Sequence, residues 1–147
     1  KIAEYDAFLT KQDPAFTVEE LEEAMQKVMD QYAGGIGTHY QFNEKQLAMA
    51  EEKIKKLQIL AKGLAAADMH ELMFIYELKE RLTVCLTVIA HLRARKETRW
   101  HSFAENLDYP EKSDAWLCYV NSKKNGDQIT MIRRDLVKGG ETYEHLD

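Results

Sequence analysis

The fold is decided by the longest patterned stretch of the sequence, residues 68–94, which reads DMHELMFIYELKERLTVCLTVIAHLRA. Its apolar residues recur every three or four positions, which predicts one buried face of a long helix. That face consists of Leu72, Ile75, Leu78, Leu82, Cys85, Ile89 and Leu92. Asp68 and Glu71 supply a capping arrangement at its start. A second apolar stripe through Val84 and Val88 predicts that this helix is central and covered from two sides.

Two more helices precede this stretch. Thr17 and Glu20 have the capping-box form, and the face behind them ends before Gly34-Gly35, a pair that supplies left-handed backbone. A second helix starts at Asn43 with Gln46 as its reciprocal cap and ends near Gly63. The face of the first helix is Val18, Leu21, Met25, Val28 and Tyr32; that of the second is Leu47, Ala50, Ile54, Leu57, Ala61 and Leu64.

The pattern changes after residue 98. Residues 100–115 show no period, whereas the apolar runs 116–120 and 128–132 flank Asn125-Gly126, a strong hairpin signal. The sequence therefore predicts a mainly α fold: a three-helix antiparallel bundle, then an irregular segment and a small C-terminal β-hairpin. The expected divisions are a lead-in segment at 1–16 that packs by its aromatic residues, the bundle at 17–98, and the remainder at 99–147, with a tail after the hairpin.

Composition narrows the class of protein. The 147 residues carry twenty basic and twenty-five acidic side chains, a net charge of −5, which argues against nucleic-acid binding. The longest apolar run, residues 82–92, would rise about 16 Å as a helix, half of a bilayer core, so no membrane span is expected. The chain starts with Lys1 and shows no signal peptide, so we expect a processed or excised piece of a cytoplasmic protein.

Most catalytic and metal-site patterns are missing from the sequence. It holds no G-x-S-x-G, Walker loop or H-E-x-x-H, and its five histidines form no ligand pair, so no catalytic, cofactor or metal residue is predicted. Gly34-Gly35-Ile36-Gly37 follows a helix instead of opening one, which favours a helix end over a phosphate loop. Cys85 and Cys118 are interpreted as small buried hydrophobic residues; a disulfide or a metal site are the alternatives.

The cluster that begins at residue 95 is the exception. Its sequence, Arg-Lys-Glu-Thr-Arg-Trp, mixes bidentate guanidinium groups, a carboxylate and an indole where the third helix should end. Charged residues on a solvated helix end are one interpretation. An interface is the other, because Arg and Trp are enriched at contact hot spots.

Here the sequence resembles a known family. Arg95-Lys96-Glu97-Thr98-Arg99, followed by Asp108-Tyr109-Pro110, Asp114 and Trp116, is similar to the C-terminal signature of the succinate dehydrogenase and fumarate reductase flavoprotein superfamily. Thr98, Trp100 and the interval from Arg99 to Asp108 resemble its adenylylsulfate reductase alpha-subunit branch. The resemblance covers roughly residues 21–122 and only the last part of a full subunit.

The resemblance implies a role in sulfur metabolism for a parent oxidoreductase. Such a subunit binds FAD non-covalently, converts adenylylsulfate to AMP and sulfite or the reverse, and receives electrons from an iron-sulfur beta subunit. The flavin and catalytic motifs would lie upstream, so the fragment alone is expected to bind no cofactor and to be inactive. Its own role would be structural, against the flavin domain of the same chain. The predicted interface residues are Arg95, Lys96, Glu97, Arg99, Trp100, Asp108, Tyr109 and Trp116.

Two alternatives stay open at this point. One is a fumarate reductase, succinate dehydrogenase or aspartate oxidase flavoprotein, which an assay with adenylylsulfate against fumarate distinguishes. The other is a free-standing helical module that binds a protein partner. A domain separated from its neighbour would tend to self-associate, whereas a free-standing module would stay monodisperse.

Overall fold

A computed structural model of the chain describes residues 1–126 and 128–137. This part contains four α-helices and four short strands. The helices are Ile2–Leu9 (α1), Val18–Tyr32 (α2), Glu44–Ala61 (α3) and Met69–Ala94 (α4). The strands are Gln41–Phe42 (β1), Glu105–Asn106 (β2), Cys118–Asn125 (β3) and Gln128–Asp135 (β4). The mainly α fold with a terminal hairpin is thus confirmed, and the predicted tail at Gly139-Gly140 lies outside the described residues.

The predicted helix starts are those observed. Thr17 and Glu20 form a reciprocal capping box at α2, and Asn43 and Gln46 form another at α3. At α4 the Asp68 carboxylate accepts hydrogen bonds from the backbone N–H groups of His70 and Glu71, each at 2.9 Å. Each cap satisfies N–H groups that have no partner within the helix, which fixes where the helix begins.

The core lies between α2, α3 and α4. All six predicted core residues of the second helix and the loop after it, residues 47–64, are buried. On α4 the buried face comprises Leu72, Ile75, Leu78, Leu82 and Ile89, while Cys85 and Leu92 are half-buried. The 3.6-residue periodicity therefore identified the packing face correctly.

The second stripe of α4 does not behave as predicted. Val84 is 60% exposed and Val88 is 41% exposed, so no described part of the chain covers this side of the helix. Two-sided apolarity predicted a neighbour on both faces. In the described chain the second stripe stays largely open to solvent at Val84 and Val88.

The N-terminal segment contains a helix that the sequence analysis did not predict. Phe8 of α1 is buried, and the Tyr5 ring packs edge-on against the Tyr76 ring of α4 at 5.2 Å. The Phe8 carbonyl also accepts a hydrogen bond from the Ala66 N–H at 3.0 Å. The lead-in segment packs through its aromatic residues as expected, although Phe16 is 40% exposed.

The two glycines after α2 do different work. Gly34 adopts the left-handed conformation, with φ +75°, as predicted. Gly35 does not, since its φ is −79°. It is needed for close approach, because a Cβ there would lie 2.3 Å from the Asp30 Cα.

Both strand pairs position the C-terminal third of the chain. β1 and β2 pair in parallel, with Gln41 opposite Glu105, a pairing that the aperiodic sequence did not indicate. β3 and β4 are antiparallel, from Cys118 opposite Asp135 to Asn125 opposite Gln128. This hairpin packs against α4. None of the described helices is long and apolar enough to cross a membrane.

Candidate interface around a buried carboxylate

The chain leaves α4 at Arg95, whose backbone is extended, and then folds back through residues 96–117 to the start of the hairpin. At the centre of this segment lies the Glu97 carboxylate, whose side chain has no exposed area. A buried carboxylate is costly unless its oxygens are hydrogen-bonded and its charge is paired. The partners of Glu97 therefore decide whether the segment is stable.

Four donors reach the Glu97 carboxylate. Oε1 accepts from Arg95 Nη1 at 2.5 Å and from Arg99 Nε at 2.9 Å. Oε2 accepts from Arg99 Nη2 at 2.9 Å and from the Ser113 N–H at 3.0 Å. Arg99 thus grips both oxygens with its planar fork, the strongest geometry for this kind of pair.

This arrangement keeps Glu97 ionised. Burial by itself raises the pKa of Glu97, but hydrogen bonds from Arg99, the Ser113 amide and Arg95 outweigh burial and hold the pKa at about 2. The same pairing with Glu97 raises the pKa of Arg99. The cluster is therefore a permanent ion pair over the physiological pH range, not a proton donor or acceptor for catalysis.

Arg95 links this cluster to the hairpin. Its Nη1 donates to the Trp116 carbonyl at 2.9 Å and its Nη2 to the Cys118 carbonyl at 3.0 Å. The guanidinium also lies 5.9 Å from the centre of the Trp116 ring, whose other neighbour is the Arg133 guanidinium at 4.3 Å. The first residue of β3 is thereby tied to the end of α4.

Thr98 organises the opposite side of the segment. Its side chain is buried, its hydroxyl donates to the Tyr109 carbonyl at 2.9 Å, and it accepts from the Asn106 N–H at 2.9 Å. Asn106 is buried as well, and its Oδ1 accepts from the Asp108 N–H at 3.1 Å. The loop is closed by polar contacts and has little apolar core of its own.

Asp108, Tyr109 and Lys96 lie at the surface of this loop. The Asp108 carboxylate accepts a hydrogen bond from the Glu44 N–H at 2.7 Å, so it caps α3 from a distance in sequence of 64 residues. The Lys96 ammonium lies 5.3 Å from the centre of the Tyr109 ring, a cation–π contact. Asp108 therefore holds the loop against the bundle.

Trp100 faces outward and is 66% exposed. It belongs to a set of exposed apolar and aromatic side chains that lie on the returning segment, residues 95–118, and at the start of β3. We call this set the aromatic rim; it comprises Trp100, Phe103, Leu107, Tyr109, Leu117 and Tyr119. Large exposed aromatic side chains held on a braced loop are typical of a contact surface.

The structure brings most of the predicted interface residues together, with different roles. Glu97 is wholly enclosed within the domain and cannot itself touch a neighbour, while Arg95, Arg99 and Trp116 brace the loop. Trp100, Asp108 and Tyr109 are the exposed members. Sequence reasoning assigned no role to Thr98, Asn106 or Ser113. The position of Thr98 inside the motif was a usable signal, but nothing in the sequence marked Asn106 or Ser113.

The glycine-rich turn does not form a phosphate site, and the described residues contain no metal-ligand cluster. The Gly37 N–H donates to Asp30 Oδ1 at 2.9 Å, so a carboxylate already occupies the glycine-rich turn and would repel a pyrophosphate. The described residues hold no group of three His, Cys, Asp or Glu side chains that could bind a metal ion. Cys85 and Cys118 are both free thiols and half-buried, and burial raises the pKa of Cys85. Because Asp30 occupies it, the glycine-rich turn does not fit the phosphates of FAD.

Comparison with known proteins decides the family. The family model for the fumarate reductase flavoprotein C-terminal domain matches residues 22–140. The chain belongs to this family. The resemblance carried by the Arg95–Arg99 motif is confirmed, and the matched range includes the returning segment, the hairpin and most of the bundle.

Comparison with individual proteins shows which flavoproteins the chain is similar to. The chain is 34% identical over 98 residues to the adenylylsulfate reductase alpha subunit of Megalodesulfovibrio gigas. It superposes on adenylylsulfate reductase from Archaeoglobus fulgidus with a TM-score of 0.84 and 32% identity over 97% of its length. Superposition on an adenosine-5-phosphosulfate reductase in complex with sulfite gives a TM-score of 0.83 at 34% sequence identity. E. coli quinol fumarate reductase shares the fold, with a TM-score of 0.77 and 18% identity.

The chain covers only a small part of each relative. The alignment with the Megalodesulfovibrio gigas subunit includes 66% of this chain and 15% of that subunit. In the two adenylylsulfate reductase structures, the chain covers 24% of the solved chain. It covers 25% of the fumarate reductase chain. It therefore corresponds to one domain of these flavoproteins.

Proposed function

We propose that this chain is the C-terminal helical domain of an adenylylsulfate reductase alpha subunit. The observation that carries the proposal is the contrast in identity: 32% and 34% to two adenylylsulfate reductase structures, against 18% to a fumarate reductase of the same fold. The parent enzyme would convert adenylylsulfate to AMP and sulfite, or run the reverse, in the cytoplasm.

Within that parent the domain has a structural role. The buried Glu97 cluster fixes the returning segment, and the segment presents the aromatic rim to the flavin domain of the same chain. FAD would be held outside the described residues, since their glycine-rich turn is occupied by Asp30. Electrons would come from an iron-sulfur beta subunit.

The rim can be tested without disturbing the fold of the domain. Trp100 and Phe103 are 66% and 73% exposed, so Trp100→Glu with Phe103→Glu should leave the melting temperature of the 147-residue chain unchanged. In the full-length subunit the same pair should lower the FAD content severalfold, because two charges would be buried at the seam. Ile2→Glu, at a site 76% exposed on α1, is the matched control.

Full FAD content in the double variant would remove the aromatic rim from the interface. The assignment of the substrate needs its own measurement. The full-length enzyme is expected to reduce adenylylsulfate and not fumarate. Reduction of fumarate and not adenylylsulfate would identify the parent enzyme as a fumarate reductase instead.

A further inference from the structure

An open groove of about 1650 Å³ lies between α3, α4 and the hairpin. On the α4 side it is lined by the short side chains of Thr83, Thr87 and Ala90, which leave space above the helix. Gln58 and Ile59 of α3 form one wall, and hairpin residues within 122–126 and 128–131 contribute to the other. We call it the lysine groove, after Lys62, Lys96, Lys123 and Lys124, which line it.

The charge of the groove is opposite to that of the chain. Seven basic and three acidic side chains line it, although the whole chain has an acidic excess. All three carboxylates are already paired: Glu4 with Lys79, Glu44 with Arg93, and Glu51 with Lys55 and Arg93. For the four lysines named above, no carboxylate of the described residues lies within ion-pair distance. Their charge remains available to an anionic ligand.

The groove also offers apolar surface. Ile59 is 65% exposed, and Leu86, Ile129 and Met131 line the same space. A nucleic acid would bring phosphates to the lysines but no aliphatic side chains, so it would gain little from this apolar surface. A polypeptide that carries carboxylates and apolar side chains together matches both properties.

We propose that the lysine groove binds an extended acidic segment of a second polypeptide. Its carboxylates lie against the four lysines and its apolar side chains against Ile59 and Met131. The groove adjoins the aromatic rim at Lys96, which lines the groove and lies 5.3 Å from the centre of the Tyr109 ring; no other predicted interface residue lines the groove. The inference rests on the charge and apolar lining of the groove and does not depend on the proposed enzyme.

The test uses the 147-residue chain and a fluorescein-labelled ten-residue peptide of alternating Glu and Leu. Fluorescence anisotropy should show binding that weakens as salt rises from 50 to 500 mM, since open ion pairs are screened. The matched peptide of alternating Gln and Leu should bind at least tenfold more weakly. Lys123→Glu with Lys124→Glu should weaken binding about tenfold, in line with the modest strength of exposed ion pairs.

Lys45→Glu with Lys56→Glu is the control, because both lysines are exposed on α3 and neither lines the groove. Equal affinity for the two peptides, or equal loss in the two double variants, would overturn the proposal. A chain that ends at Val137 distinguishes two occupants of the groove, residues 138–147 of this chain and a second polypeptide. If it binds the acidic peptide tenfold more tightly than the full chain, residues 138–147 occupy the groove and the second polypeptide is excluded. Unchanged affinity supports the second polypeptide.

Discussion

The bundle and the returning segment, residues 95–118, are held together by different forces. Between α2, α3 and α4 the buried side chains are apolar and interchangeable in kind: Leu47, Ile54, Leu78 and Leu82 are all at most 1% exposed. In the returning segment the most buried side chains are Glu97, Thr98 and Asn106. The bundle gains from area removed from water, whereas the segment depends on specific donors and acceptors.

This difference has a consequence for how each region fails. A core leucine replaced by a smaller residue leaves a cavity whose cost depends on how far the neighbours relax. A buried polar group that loses its partner leaves another polar group unsatisfied, and no relaxation of packing repairs that. The returning segment should therefore be sensitive to changes of single atoms that the bundle would tolerate.

The largest effect is expected for Glu97→Gln. The substitution keeps the shape but removes the charge that Arg95 and Arg99 share, and it places an amide N–H₂ against guanidinium donors. We expect the free energy of unfolding to fall by about 3 kcal/mol. This value is at the lower end of the range for breaking a buried ion pair, because both arginines are partly exposed. Urea denaturation at pH 7 measures it.

The pH dependence of the same variant supplies its control. The pKa of Glu97 is about 2 in the folded chain, below its ordinary value of 4.5, so its ionised form stabilises the fold above pH 4.5. That contribution should be lost as the pH falls from 4.5 toward 2. The Gln variant should show a flatter decline over this window. Parallel curves for both chains would contradict the buried ion pair.

An intermediate effect is expected for Thr98→Val, which keeps the volume of the side chain and removes its hydroxyl. The Asn106 N–H and the Tyr109 carbonyl would each lose a partner inside the protein, at a cost of about 1–2 kcal/mol. Thr98→Ser retains the hydroxyl and should cost less. Thr83→Val is the matched control, because the Thr83 hydroxyl is exposed and only returns to its own helix. Equal melting temperatures for the Thr98 and Thr83 valine variants would refute the role of Thr98.

The same contrast explains what could be predicted from the sequence. Helix boundaries and core faces follow from local capping residues and from periodicity, both of which are visible in one stretch of sequence. The contact of Asp108 with the start of α3 joins positions 64 residues apart, and no local pattern encodes it. Arg95, Glu97 and Arg99 could be identified because their spacing resembles a family signature. Their mutual geometry and the enclosure of Glu97 depend on the fold and are not encoded in that spacing.

The sequence did not predict the α1 helix, and it predicted wrongly that the second apolar stripe of α4 is covered. Residues 2–9 have weak amphipathic character, and α1 is held by the contacts of Tyr5 and Phe8 with Tyr76, which are tertiary. Val84 and Val88 were predicted to be covered and are exposed. Apolar periodicity reports that a face needs a neighbour, but it does not report whether this chain supplies that neighbour.

The smallest effect is expected at the junction of the two regions, for Asp108→Ala. Removal of one charged cap from the first turn of α3 should cost about 0.5–1 kcal/mol. The local signature is sharper than the loss of stability: the Glu44 N–H should exchange faster with solvent, while the Gln46 N–H, which Asn43 caps, should not change. Asn43→Ala should give the reverse pattern.

If Asp108→Ala also speeds exchange of the Glu105 and Leu107 N–H groups, which pair with the β1 segment, then Asp108 joins the returning segment to the bundle as well as capping a helix. Protection unchanged at Glu44 would show that Asp108 does not cap α3.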